Sequence, residues 1–238
     1  MKTHLLEEMK DFLFPQVRCL ACDEPRRIIR DQALCEACKA ELEQLRIPAS
    51  VCGHCLSPVR AGSACAFCRD GGMLGLDQAF APYIYHGVSQ RLIVMLKFGP
   101  VSLAAEPLAR EMALCISGIR FDALVPVPLH KARQRERGMN QSRLLCDLIA
   151  RQTGFPVREV LEKTRNIRRQ SSLPSDRREE NIRGAIKSSA AVDGLDLLLV
   201  DDVRTSGATA RECARVLREA GAASVCLLTA AVAAGGAK

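Results

Sequence analysis

The sequence predicts an α/β protein: a mostly parallel sheet with helices between its strands, preceded by a small cysteine-rich module. Three observations carry this expectation. Along residues 73–238 the apolar pattern alternates between strand-like and helix-like segments. The run LLLV at 197–200 is apolar without alternation and ends on two acids, as in a parallel strand buried on both faces. Eight of the 12 cysteines fall in four C-x-x-C pairs, all before residue 70.

With 238 residues and 48% hydrophobic content the chain can build a real core, which excludes a disordered polymer. Lys and Arg number 34 against 27 Asp and Glu, a net charge of +7, which favours anionic ligands without identifying nucleic acid. Residues 131–187 hold 15 Lys/Arg against 7 Asp/Glu, a net +8, so the remainder is close to neutral. The opening MKTHLLEEMKDFLFP contains acids and no apolar signal-peptide core. No later stretch reaches the roughly 18 apolar residues of a membrane span, and a cytoplasmic location is expected.

The cysteines define the first unit, residues 1–72. Cys19 and Cys22 are followed after 12 residues by Cys35 and Cys38; Cys52 and Cys55 are followed after nine by Cys65 and Cys68. In a reducing compartment this spacing reads as metal binding, and eight thiolates supply two tetrahedral zinc sites. Sequential pairing is preferred, because the helix-like CEACKAELEQL and Pro48 separate the halves; a cross-braced pairing stays open. His54 reads as an exposed neighbour of the ligands. Cys115, Cys146, Cys213 and Cys226 read as small core residues.

The second unit, 73–238, begins with a strand at 77–85 and a short amphipathic helix at 88–98 carrying Lys97, then a helix at 103–116. A strand at 121–129 must end at Pro126 and Pro128, which lack a donor for a central ladder. A helix at 140–153 is stopped by Gly154. Then come a strand at 157–165, a long polar loop at 166–181 and a return strand at 183–187. The strand entering Asp201 and Asp202 is followed by a helix at 209–220, ended by Gly221, and a last strand at 224–232.

Asp201 and Asp202 stand at the carboxyl end of their strand, where open α/β sheets bind ligands. Thr205, Ser206, Gly207 and Ala208 are small enough for a backbone to close around a phosphate, and Thr209 begins a helix whose free N–H groups favour an anion. That is the layout of a phosphate-sugar site, with the acids facing hydroxyls and a bound cation. Arg133 and Arg137 sit just past another strand end, beside Gly138 and a helix start at Asn140, an arrangement suited to a diphosphate. Arg165, Gln170, Leu173, Arg178 and Asn181 lie in a loop long enough to close over a site.

The run LLLVDDVRTSGATA resembles the phosphoribosyl-diphosphate (PRPP) signature of type I phosphoribosyltransferases. The resemblance implies that Asp201 and Asp202 contact the ribose 2- and 3-hydroxyls, and that Arg204, Thr205, Ser206, Gly207, Ala208 and Thr209 form the 5-phosphate loop. With the paired C-x-x-C motifs, the LKF at 96–98, PVP-x(4)-R-x(3)-RG-x-NQ, the Gln-x-x-Leu loop and VDDV before a Thr-Ser-Gly turn, residues 12–232 resemble the ComF family, also called the GntX family. Met139 stands where the family usually has an aromatic, and GPVS after Phe98 replaces a glycine-bearing turn.

This second resemblance implies a type I phosphoribosyltransferase (Rossmann-like) architecture with an N-terminal four-cysteine zinc-ribbon-like module. It implies structural zinc, Mg²⁺ accompanying PRPP, and Lys97 among the PRPP contacts. It further implies a role in handling imported DNA during competence, with no settled reaction. If transfer occurs, Asp201, Asp202 and Arg137 carry it, with Arg133 and Arg137 stabilising the departing diphosphate; the acceptor is unreadable. Two alternatives stay open: a non-catalytic protein that keeps the fold and binds single-stranded DNA, and an adaptor for a competence helicase or pore protein. Charge favours DNA, whereas 4% aromatic content with no Trp leaves few stacking platforms.

Overall fold

Strand β6 (Asp196–Arg204) organises the fold because its apolar run is covered on both sides. Leu197, Leu198, Leu199 and Val200 are each 0% exposed. Leu198 and Val200 enter one core, Leu197 and Leu199 the other, as the two-residue period of a strand requires. The computed structural model describes residues 18–24, 34–57, 59, 64–98, 101–165 and 182–233. The loop expected at 166–181, with Gln170, Leu173, Arg178 and Asn181, lies outside them, as do the opening residues 1–17 and the first two residues of the GPVS segment.

The other strands are β1 (Ala79–Phe80), β2 (Tyr83–Ile84), β3 (Ala123–Pro126), β4 (Leu161–Lys163), β5 (Ile186–Ser188) and β7 (Ser224–Val232). The main sheet runs β1-β7-β6-β3, with β2 also on β7, and every pair in it is parallel. Leu199 is flanked by Val125 and Leu227. The mostly parallel sheet expected from the sequence is therefore present. Strands β4 and β5 form a separate antiparallel pair at the base of the 166–181 segment.

Two expected strands are interrupted by proline. The segment at 77–85 splits into β1 and β2 around Pro82, which has no N–H to give. The segment at 121–129 shortens to β3, whose last residue, Pro126, lies opposite Val200 on the edge strand, where a missing donor is tolerated.

On one face of the sheet pack the helices at Gly87–Phe98, Val101–Cys115 and Gln141–Thr153; on the other packs the helix at Ala208–Glu219. In chain order the seven described helices are α1 (Glu36–Gln44), α2 (Ala66–Arg69), α3 (Gly87–Phe98), α4 (Val101–Cys115), α5 (Lys131–Arg137), α6 (Gln141–Thr153) and α7 (Ala208–Glu219). Helix α6 is closed at both ends as its sequence suggests. Asn140 Oδ1 accepts from Ser142 N at 3.1 Å, and Gly154 takes a left-handed φ of 77°. Helix α5 was not expected: it is capped by His130, whose Nδ1 accepts from Ala132 N at 3.2 Å, and ends at Gly138 with φ 78°.

The cysteine module reaches both faces of the sheet. Cys19, Cys35 and Cys38 join the core that holds Tyr83, Val88 and Leu92, while Cys55 joins the one that holds Met73, Leu76 and Ala79. Backbone pairing fixes the first contact, with Ile84 N donating to Leu45 O and Ile47 N to Pro82 O, at 2.8 and 3.0 Å. Glu41 of α1 adds a cap to α3, accepting from Val88 N at 2.8 Å.

Candidate functional site

The eight cysteines gather as two sets of four, Cys19, Cys22, Cys35 and Cys38, then Cys52, Cys55, Cys65 and Cys68; within each set the sulfurs lie within 4.8 Å of one another. This is the sequential pairing, and the cross-braced alternative falls. Sulfur separations of 3.9 Å (Cys22 to Cys35), 3.8 Å (Cys52 to Cys68) and 3.4 Å (Cys55 to Cys65) fit a tetrahedral ion. Zinc–sulfur bonds of about 2.3 Å put thiolates about 3.8 Å apart.

The thiols of each set are pushed apart, Cys19 and Cys52 down and Cys22, Cys38, Cys55 and Cys68 up. Against burial, which pushes the thiol up, N–H groups of Cys35, Cys22 and Ala21 bring Cys19 down to about 6; those of Cys55 and His54 bring Cys52 to about 7. His54 is exposed, yet its Nδ1 stands 3.7 Å from Cys68 Sγ. Cys146 and Cys213 are buried core residues whose thiols burial pushes up, and Cys115, half-buried, reaches about 11 for the same reason.

Strand β6 runs past both acids and ends at Arg204, so Asp201 and Asp202 lie within the strand and the turn itself is Thr205–Gly207. Gly207 adopts φ 74° as the N-cap of α7, without a side chain closing the helix start. Asp201, Thr205, Ser206, Gly207, Ala208, Thr209 and Thr229 line a cavity of about 60 Å³, room for several water-sized groups and on the scale of a phosphate.

The two acids have different partners. Asp202 Oδ2 pairs with Lys97 Nζ at 2.5 Å, both buried. Asp201 is half-buried, and its Oδ1 accepts from Ser142 Oγ at 3.0 Å and from Asp202 N at 2.9 Å. Burial first, then the charge of Asp202, push the Asp201 carboxyl up to about 6, against the pull of those two donors and of Lys97. Carboxylate and hydroxyl oxygens are the donors a Mg²⁺ ion requires, and Asp201 is the acid whose charge is not already matched by the Lys97 ammonium.

Arg133 and Arg137 sit four residues apart on α5, hence on one face of that helix. Arg137 Nη1 donates to Gln141 Oε1 at 3.1 Å. Gln141 and Ser142 are both buried at the start of α6, so this helix end ties Arg137 to Asp201. Ser142 and Gln141 were missed in the sequence; the Asn140 cap was the signal that they start a helix facing the strand ends.

Arg204, the expected first residue of the loop, also reaches the cysteine module. Its guanidinium turns into the cysteine module, donating to Cys55 O at 2.8 Å and Ser57 Oγ at 3.1 Å, and lies 4.6 Å from the Phe67 ring centre. Both hydrogen bonds come from Nη2, and Arg204 also lines the cavity.

Curated relatives match this chain along most of their length. The "double zinc ribbon domain" family model matches residues 9–69, which include all eight ligand cysteines. "DNA utilization protein YhgH" of Escherichia coli K12 is 30% identical over 215 residues, 87% of this chain and 86% of that protein. "Competence protein ComFC" of Bacillus subtilis is 28% identical, covering 84% of each chain. The chain belongs to the ComF family.

"Competence protein F" of Haemophilus influenzae, 26% identical over 87% of this ComF-family chain and 93% of its own, is a further relative. Two solved structures match part of this chain. One is a glutamine PRPP amidotransferase of B. subtilis complexed with ADP and GMP (TM-score 0.37, 26% identity, 52% of this chain). The other is described as the allosteric regulatory enzyme of purine biosynthesis (TM-score 0.36, 26% identity, 53% of this chain). This chain spans about a quarter of either. Among the described residues no helix of the ComF-family protein is long and apolar enough to cross a membrane.

Proposed function

We propose that the carboxyl edge of the sheet is a PRPP site of phosphoribosyltransferase type, residues 73–238 forming the ligand-binding unit and 1–72 the zinc module of a cytoplasmic protein. The observation that carries this reading is the junction of β6 and α7. Asp201, an open Thr205–Gly207 turn and an uncapped helix start surround one phosphate-sized cavity, with Asp202 next to Asp201 in the strand. Thr205, Ser206 and the first N–H groups of α7 hold the 5-phosphate, Asp201 and Asp202 address the ribose hydroxyls, and Lys97 holds Asp202 in place. Mg²⁺, when bound, screens the charge of the diphosphate.

In a transfer reaction the bond from the anomeric carbon to the diphosphate oxygen breaks, its electron pair leaving with diphosphate. An acceptor nitrogen supplies the new bond and releases a proton. Arg137, oriented by Gln141, and Arg133 on the same helix face stabilise the departing charge. The test is calorimetric titration of ribose 5-phosphate and of PRPP, with and without Mg²⁺, into zinc-loaded protein and its Asp201→Asn variant. Both ligands bind the parent, and PRPP binding requires Mg²⁺ and weakens in the variant. A folded parent that binds neither ligand refutes the site.

A second reading, single-stranded DNA binding in DNA uptake, is favoured by α5, where Lys131 and Arg135 are exposed. Salt separates the two. DNA affinity falls steeply with salt as phosphates are neutralised, and a compact phosphate pocket is screened less. Replacing Lys131 and Arg135 by Ala flattens the salt slope for DNA and leaves ribose 5-phosphate affinity unchanged; an unaltered slope removes this reading.

A further inference from the structure

We propose that the second cysteine cluster, Cys52, Cys55, Cys65 and Cys68, sets the conformation of the Thr205–Gly207 turn through Arg204, whose guanidinium acts as a positioning group. The proposal deepens the phosphate-site reading and rests on it only for the identity of the ligand.

Arg204 immediately precedes the turn, and its Nη2 is tied to backbone and side chain that the cluster fixes. Only 3% of Arg204 is exposed. Cys55, whose carbonyl accepts from Nη2 at 2.8 Å, is itself a cluster member, and Ser57, the second acceptor at 3.1 Å, returns a carbonyl to Cys52 N at 2.9 Å. Phe67, under the guanidinium, stands between Cys65 and Cys68. Among the described residues Nε of Arg204 is buried without a hydrogen-bond partner. Four thiolates around a divalent ion carry a formal charge of about −2, and the guanidinium lies against it.

A second tie meets the turn from its other end. Arg211, one turn into α7, donates to Ser206 O at 2.9 Å and to Gly72 O at 3.3 Å, while Gly72 N donates to Phe67 O at 2.7 Å. At Gly207 a Cβ would stand 3.3 Å from Phe67 Cζ and 3.4 Å from Gly72 O, so the turn is seated directly on the module. The first cluster packs elsewhere: Cys19, Cys35 and Cys38 lie in the opposite core, beside Tyr83 and Val88. The phosphate turn therefore depends on one of the two clusters.

The experiment uses the full-length, zinc-loaded chain and reads amide hydrogen exchange at 205–210 without ligand, with metal content and ribose 5-phosphate affinity as further readouts. Arg204→Met keeps two zinc ions per chain and the slow exchange of β7, yet speeds exchange of the turn and weakens ribose 5-phosphate by about tenfold, the worth of one charge-assisted hydrogen bond. Cys68→Ser and Cys22→Ser each lose one ion, but only Cys68→Ser speeds the turn. If Arg204→Met fails to fold, Phe67→Leu replaces it, removing the ring while leaving both hydrogen bonds, and still speeds the turn. Unchanged exchange in the folded Arg204 or Phe67 variant, or an equal response to the two cysteine variants, overturns the proposal. A parent that does not bind ribose 5-phosphate while the turn responds as stated refutes the ligand and upholds the coupling.

Discussion

Lys97, in the last turn of α3, and Asp202, near the end of β6, form an ion pair at 2.5 Å with side chains only 8% and 11% exposed. Such a pair is costly to break from one side, because the remaining charge stays buried and unmatched. Asp202→Asn alone should lose about 3–5 kcal/mol of stability. Combined with Lys97→Met the loss should be well below the sum of the two single changes, as expected of groups in direct contact. Urea denaturation of the four proteins measures this; strictly additive losses would show that the pair is not coupled.

Asp201 gives a pH prediction of opposite sign to that of an ordinary paired carboxylate. Its carboxyl is pushed up from 3.8 to about 6, first by burial and then by Asp202. Between those values the folded protein holds more protons than the unfolded chain, so this group's contribution to stability falls as pH rises from about 4 through 6. Asp201→Asn removes the ionisation. The stability of the variant relative to the parent should therefore increase across that window and level off above it. Parallel pH–stability curves would discard the shift.

Much of this site was legible because its signals are local. The unbroken apolar run before Asp201 fixed a doubly buried strand, Asn140 and Gly154 marked both ends of α6, and the cysteine spacing named two sulfur clusters. What escaped was long-range. Nothing near Arg204 in the chain signals that its guanidinium crosses to Cys55, 149 residues earlier. The resemblance placed Arg204 in a phosphate loop, and tertiary packing adds partners in the cysteine module that no local pattern announces. Helix α5 escaped for a different reason: Lys131–Arg137 is polar and short, so it has no apolar stripe to declare a helix, and its His130 cap is an uncommon one.

The cluster geometry predicts how metal is lost. Because the sets are sequential, Cys22→Ser should lower zinc from two ions per chain to one, leaving the second cluster filled. Elemental analysis after gel filtration under reducing conditions reads the ratio. Loss of both ions from this single change would show that the two clusters do not hold metal independently. Structural zinc contributes directly to folding, so the same variant should loosen α1 and its contact with α3 through Glu41 and Val88.

Ser142 offers a test of how the Asp201 charge is held. The hydroxyl is buried at the start of α6 and donates to Asp201 Oδ1 at 3.0 Å, a bond that favours the ionised carboxylate. Ser142→Ala removes that donor, so the Asp201 carboxyl should rise above about 6. A hydrogen bond to a charged group contributes about 1.5–3 kcal/mol, more than one to a neutral group. The cost of Ser142→Ala should accordingly be larger at pH 8, where Asp201 is ionised, than at pH 5, where it is protonated. In an Asp201→Asn background the difference between the two pH values should vanish, since the acceptor no longer titrates. Carboxyl-carbon NMR of Asp201 follows the midpoint directly, and denaturation at the two pH values follows the energy. A cost that is the same at both would mean that Ser142 only fills space beneath the acid, and that burial alone sets the Asp201 proton affinity.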